Sequence, residues 1–190
     1  MPLALAQAPQ PLRLNLGCGK DLREGWLNVD IYGQVDCLYD LNVKPWPWVN
    51  DSVHEVMMHH VLEHLPDTIG VMKEIYRVCR HGAKVFIAVP HPRHDDYVSD
   101  PTHVSPITIR MFELFSRKIC ESRIKDANNP LALIHGVDFE KVEDAYVVEE
   151  QWMAKVTSGK MTEAQLREAI LMHNNVVKQI EITLEVRKAA

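Results

Sequence analysis

The chain has 190 residues, of which 46% are hydrophobic and 25% charged, and its formal net charge is −5. This composition is typical of an ordinary globular protein and excludes a disordered or fibrous chain. The negative charge argues against nucleic acid as a partner, and no apolar run approaches the roughly 20 residues that a membrane span needs. We therefore expect a single domain over residues 12–190, preceded by a flexible tail of residues 1–11.

The beginning of the chain and its cysteines predict a cytoplasmic protein. The first eleven residues lack the basic region of a secretion signal and are too short to be one. The four cysteines show neither a CxxC pair nor the spacing of a metal site. We expect them to be reduced thiols in a cytosol-like compartment; they are Cys18, Cys37, Cys79 and Cys120.

Four short strands are predicted in the first third of the chain. The first ends in a tight turn, because alternating leucines run directly into Gly17-Cys18-Gly19. The other three are short apolar runs bounded by turn residues. The four predicted strands cover residues 12–16, 26–31, 35–41 and 54–60.

A helix and a buried strand are predicted next. Asp67 is placed to cap a helix that continues through Arg80, and Gly82 is typical of the residue that follows a helix. The apolar run 83–89, stopped by Pro90, has the pattern of a strand buried on both faces. The polar stretch 90–102 is predicted to be a loop.

The second half of the chain is less clearly patterned. Ser105 and Pro106 favour the start of a further helix, whereas residues 118–160 predict only a strand at 144–149. Thr162 and Gln165 form a capping box at the start of a later helix. The alternation over residues 180–186 predicts a half-buried antiparallel strand, either internal or pairing across a homodimer. Strands separated by crossover connections in the first part of the chain, followed by an antiparallel strand near its end, indicate a three-layer α/β sheet.

Acidic residues follow the glycine turn at the ends of successive predicted strands. Open α/β sheets bind ligands at the carboxyl edge of their strands, and glycines there let a ligand approach the backbone. Asp30 is placed to accept hydrogen bonds from a ribose, and Asp40 to reach an adenine edge. Each acid could instead be an ordinary turn residue, and a lone GxG is a weak signal.

Four segments in this order resemble class I S-adenosylmethionine (SAM)-dependent methyltransferases. They are NLGCGK at 15–20, GWLNVDI at 25–31, YDL at 39–41 and HVLEHL at 60–65. The resemblance covers residues 12–116 and, more loosely, the region around 173–175. It implies a Rossmann-like sheet of seven strands, mostly parallel with the C-terminal strand antiparallel, and SAM as the cofactor.

The same resemblance assigns roles to individual residues. The turn Gly17, Cys18 and Gly19 would lie against the methionine part of the cofactor, and Leu16 before it belongs to the same cofactor site. Asp30 would hold the ribose, and Ile31 would lie against the adenine. Asp40 and Leu41 would frame the base, and His60 would line the pocket beside the sulfonium. The chain departs from the family at Asn15, where many members have an acidic residue, and at Asp21, where the family has a third glycine. The segment from Gly19 to Trp26 is too short for a full helix.

A histidine-rich loop is the predicted acceptor site. Methyl transfer from a sulfonium needs alignment of the acceptor, and a base only where the acceptor must lose a proton. His91, His94 and His103 follow the fifth strand, and His91 or His94 are the better base candidates. The stretch from Asp100 to His103 could alternatively be a capped turn. We expect a small-molecule, sugar or polymer-end acceptor.

Three other functions match parts of the sequence. The stretch from His60 to His64 matches HxxEH, the pattern of a metal-dependent hydrolase, but that pattern needs a helix and Pro66 disfavours one. A nicotinamide oxidoreductase would need a third glycine where Leu22 stands and an acid later than Asp30. A non-catalytic cofactor-binding or scaffold protein of the same fold stays open. No metal ligand is assigned from the sequence, although the histidines leave loose metal binding open.

Overall fold

The computed structural model describes residues 11–123 and 129–188, so most of the predicted tail lies outside the described residues. Its centre is a seven-stranded sheet with the strand order β3-β2-β1-β4-β5-β7-β6. The strands are β1 (Leu12–Leu16), β2 (Leu27–Asp30), β3 (Cys37–Leu38), β4 (Val53–His59), β5 (Cys79–Pro90), β6 (Phe139–Val148) and β7 (Val177–Val186).

Seven helices and one 3₁₀ turn are seen among the described residues. The turn spans Leu62–His64. The helices are α1 (Thr68–Val78), α2 (Asp95–Val98), α3 (Ile109–Glu113), α4 (Arg117–Ser122), α5 (Leu131–His135), α6 (Glu150–Thr157) and α7 (Glu163–Met172). No helix in this part of the chain is long and apolar enough to span a membrane.

The strand register gives the sheet one continuous apolar face. Leu16 pairs with Met58, Met58 with Ile87, and Ile87 with Ile182, so these side chains lie in one row on the same face. Helix α1 buries its apolar side in the same core. β1 to β5 run parallel, which confirms the predicted Rossmann-like sheet. β7 is antiparallel to both β5 and β6, so it is internal and cannot pair across a dimer.

The opposite face of the sheet mixes polar and apolar residues, since Met57 pairs with Phe86 on it and Phe86 with Thr183. It carries ion pairs between neighbouring strands, Arg13 with Glu55 at 3.4 Å and Lys84 with Glu185 at 2.5 Å. Residues 17–26 between β1 and β2 contain no helix, as their length predicted, and residues 31–36 between β2 and β3 contain none either. The described connections before β3 therefore leave this face without helices.

Two predicted helix boundaries are wrong. α1 is capped by Asp67 as expected but ends at Val78, because the chain turns directly into β5; Arg80 therefore lies in a strand. The next helix does not begin at Ser105, whose hydroxyl donates to the Leu65 carbonyl at 2.8 Å. Thr108 caps α3 instead.

The second half of the chain contains more regular structure than its sequence predicted. The weakly patterned stretch 118–160 contains α5, β6 and α6, and β6 is longer than the predicted strand at 144–149. The predicted loop 90–102 contains the short α2. The capping box of Thr162 and Gln165 is confirmed at the start of α7.

Candidate active site

The two glycines of the turn after β1 serve different purposes. Both have positive φ, +63° at Gly17 and +51° at Gly19. A Cβ on Gly17 would lie 2.3 Å from a methyl carbon of Val61, whereas a Cβ on Gly19 would meet nothing within 4 Å. Gly17 therefore lets the loop after β4 approach β1, and Gly19 faces open space where a ligand can contact the backbone.

Asp30 connects the end of β2 to this turn. Its Oδ2 accepts the Gly19 N–H at 2.8 Å and its Oδ1 accepts the Ile31 N–H at 2.7 Å. Oδ1 also accepts the Tyr32 N–H at 3.4 Å, so both of its lone pairs are engaged, whereas Oδ2 keeps one lone pair for a ribose hydroxyl. The arrangement fits the predicted ribose contact.

Large apolar side chains beside Asp30 have little protein cover. Ile31 is 66% exposed, Tyr32 74% and Leu38 64%. Three such side chains together provide a surface against which a flat base can bind. Asp40 is exposed nearby and accepts the Asn42 N–H at 2.9 Å, whereas the side chain of Leu41 is buried in the core, so only its backbone is placed to contact a base.

Other residues of the resemblance support the turn from within. Leu16 is buried in the core, and Cys18 is buried with its N–H donating to the Val29 carbonyl at 3.1 Å. Asn15 is buried as well. Its amide donates to the Asp21 carbonyl at 2.7 Å and to Asn28 at 3.0 Å, so it holds the β1–β2 connection instead of facing a ligand.

His60 lies at the carboxyl end of β4 in a left-handed conformation, with φ +57°. Its N–H donates to the Ala88 carbonyl at 2.9 Å. Its ring lies between two partners: Nδ1 is 3.3 Å from Glu63 and Nε2 is 2.8 Å from Gln179. The hydrogen bond to Glu63 raises the pKa of His60, although partial burial acts in the opposite direction.

The structure gives His94 a structural role. It is 7% exposed, its Nδ1 accepts the Asp96 N–H at 3.1 Å, and its Nε2 lies 3.0 Å from Glu149. Because both ring nitrogens are engaged, His94 is a poorer candidate for a base than the sequence suggested. His91 accepts the Arg93 N–H at 3.2 Å, and burial lowers the pKa of His91.

Of the three predicted bases, His103 is the one that lies beside Glu63. Its Nε2 is 4.0 Å from Glu63, and its ring stacks on Tyr97 with 5.3 Å between centroids. The alternative for this segment, a capped turn, is also present, since Asp100 accepts the Thr102 N–H at 2.8 Å. The capped turn therefore positions His103.

The HxxEH pattern does not form the arrangement of a hydrolase. His60 ends a strand region and His64 closes a single 3₁₀ turn, so the two histidines are not one turn apart on an α-helix. This geometry argues against the hydrolase alternative.

Sequence reasoning missed two partners of His60. Glu63 is fully buried within the apolar run VLEHL, and a charged residue in such a run could have indicated a buried functional group. Gln179 lies 119 residues away and becomes a neighbour only when β7 inserts beside β5. No local signal pointed to it.

Comparisons with known proteins agree with this geometry. Residues 33–87 match the family model described as "Methyltransferase domain". A comparison with curated protein sequences finds no match.

Solved structures with the same fold include three that are informative. A SAM-dependent methyltransferase from Archaeoglobus fulgidus aligns with TM-score 0.56 and 17% identity, over 93% of this chain and 86% of that one. A Haloferax volcanii complex of the Trm112 methyltransferase activator with a methyltransferase aligns with TM-score 0.53 and 13% identity. The alignment covers 94% of this chain and 84% of that one.

Phosphoethanolamine N-methyltransferase 2 from Haemonchus contortus, in complex with SAM, gives TM-score 0.53 and 14% identity, over 96% of this chain and 50% of that one. Identities this low show a shared fold alone. The chain therefore has the fold of S-adenosylmethionine-dependent methyltransferases, and its residues 33–87 carry the match to the methyltransferase-domain model.

Proposed function

We propose that the protein transfers the methyl group of SAM to a small-molecule, sugar or polymer-end acceptor that binds beside His60. The observation that carries the proposal is the contact between Gly17 and Val61, which brings the loop after β4 against the glycine turn. His60, Glu63 and His103 therefore stand next to the expected cofactor site.

The bound cofactor supplies a methyl group already activated on sulfur, so the chain has to orient the acceptor and, for a protic acceptor, remove a proton. Gly19 and Asp30 are the residues that would hold the cofactor, and the exposed apolar side chains after β2 would cover its base. Of the three predicted bases, His103 is the one that faces Glu63, so we place it beside the acceptor.

The acceptor entrance is framed by two segments fixed to each other at the carboxyl edge of the sheet. The Arg93 guanidinium donates to the Leu171 carbonyl at 2.9 Å and also to Ile170, and the Asp95 N–H donates to the Asn175 side chain at 2.8 Å. These contacts join the segment 91–107 to the α6–α7 hairpin and the residues that follow it. We therefore expect both segments to determine which acceptor binds.

Incubation with tritium-labelled SAM and fractionated metabolite or glycan pools tests the proposal. Label should enter one fraction with stoichiometric S-adenosylhomocysteine, with Asp30→Ala inactive and His135→Ala, remote on α5, active as the wild type. SAM binding without product in every fraction would instead favour a scaffold. As part of the same proposal we place the protein in the cytoplasm, without nucleic acid or membrane partners and with a homodimer as the alternative to a monomer.

A further inference from the structure

Three potential metal ligands converge beside His60. They are Glu63, His64 and His103, and one ligand atom from each lies within 4.8 Å of the other two. The 3₁₀ turn supplies the first two residues and the loop after α2 supplies the third. Two imidazoles and one carboxylate form a set that divalent transition metals use in proteins.

His103 is held in the tautomer that a metal ligand requires. Its Nδ1 is 2.9 Å from the Tyr97 carbonyl oxygen, which can only accept, so Nδ1 carries the proton. The Nε2 lone pair therefore faces Glu63, at 4.0 Å from its Oε1. A hydrogen bond from the other ring nitrogen to a carbonyl is how proteins orient ligating histidines.

His64 is oriented by an equivalent chain of hydrogen bonds. The Thr102 hydroxyl donates its proton to Asp100 at 2.6 Å, so its oxygen is left to accept from His64 Nδ1 at 2.9 Å. This assigns the proton to Nδ1 and leaves the Nε2 lone pair of His64 free. The rings of His64 and His103 lie 4.6 Å apart between centroids.

Glu63 supplies an independent indication of a missing ligand. Its side chain is fully buried; Oε1 faces His60, but Oε2 has no hydrogen-bond partner among the described residues. Its backbone carbonyl accepts the N–H groups of Val104 and Ser105, which fixes the two segments together. An unsatisfied buried carboxylate oxygen is costly, and a bound cation would satisfy it.

We propose that Glu63, His64 and His103 bind one divalent transition-metal cation, such as Zn²⁺. Asp100, whose Oδ2 lies 3.8 Å from His103, adds a second negative charge beside the site. The cation's position next to His60 suits it to bind an acceptor hydroxyl and lower the pKa of that hydroxyl. This role rests on the proposed methyl transfer, whereas the binding itself does not.

The test uses the tag-free 190-residue chain after treatment with a chelator. Zn²⁺ is titrated by calorimetry, and Co²⁺ by its visible absorption, with no SAM present. We expect one ion per chain, at least tenfold weaker binding in His64→Ala and in His103→Ala, and wild-type binding in His135→Ala. Zn²⁺ should also raise the melting temperature of the wild type and of His135→Ala more than that of the two site variants.

Absence of saturable binding, or binding that both site variants retain, would overturn the proposal. Glu63→Gln removes a charge from the same site; if this variant folds and binds Zn²⁺ as tightly as the wild type, the proposal also fails. Because these measurements involve neither SAM nor acceptor, their failure would leave the methyl transfer intact. Conversely, metal binding without any methylated product would count against the proposed function alone.

Discussion

Replacing each glycine of the turn by alanine separates its role in folding from its role in ligand binding. In Gly17→Ala the new methyl group would lie 2.3 and 2.8 Å from the two Cγ atoms of Val61, well inside normal contact. Overpacking of this kind costs about 1–3 kcal/mol, and alanine in the left-handed region about 1 kcal/mol more. We expect a total of about 2–4 kcal/mol, a fall in melting temperature on the order of 10 °C.

Gly19→Ala is the matched control for stability. Its φ is also positive, but the added methyl group meets no protein atom within 4 Å. The expected destabilisation is therefore about 1 kcal/mol. The methyl group projects into the space assigned to the cofactor, so SAM affinity should fall at least tenfold.

Urea unfolding and SAM calorimetry measure the two effects separately. Val61→Ala, introduced into Gly17→Ala, should restore the stability lost to overlap but not the cost of the left-handed conformation. The reasoning is refuted if Gly17→Ala is as stable as the wild type, if Val61→Ala gives no recovery, or if Gly19→Ala binds SAM normally.

Three further predictions concern groups away from the glycines. His94→Ala should lower the melting temperature yet leave SAM affinity unchanged in calorimetry, because His94 links its loop to Glu149; a stable variant with reduced turnover would restore His94 as the base. A hydrogen bond from Arg77 holds the pKa of Glu74 below its ordinary value, so the ionised carboxylate stabilises the fold above pH 4.5 and this contribution is lost as the pH falls further. In urea unfolding from pH 6 to 3, the free energy of unfolding of Glu74→Gln should therefore fall less than that of the wild type. Burial raises the pKa of Cys79 to about 12, so a thiol reagent at pH 8 should modify it only after unfolding; its labelling in the folded protein would contradict this.

Most of the sheet could be predicted because its apolar residues alternate or run continuously. Leu12, Leu14 and Leu16 identify β1, and the run 83–89 identifies most of β5. The boundary between α1 and β5 could not be predicted, since Arg80 and Gly82 are typical of a helix end, whereas α1 already ends at Val78 and Cys79 pairs with Val53 of β4. Local preference there was overruled by tertiary structure.

The candidate site was predictable where adjacent residues form it. The glycine turn and Asp30 lie in short segments, and the structure joins them through the Gly19 N–H, which donates to Asp30; their contacts with a cofactor stay a prediction. The choice among the histidines was not predictable, because it depends on whether a ring nitrogen is already bonded. His94 and His103 differ only through distant partners, Glu149 for one and Glu63 for the other.

The most direct test of the central claim is calorimetric titration of SAM into the wild type and Asp30→Ala. We expect saturable binding to the wild type at one site per chain. Asp30→Ala should bind at least tenfold more weakly while remaining folded, because charge-assisted hydrogen bonds to the ribose are lost. Wild-type affinity in folded Asp30→Ala, or no binding to the wild type, would contradict the assignment of this rim as the cofactor site.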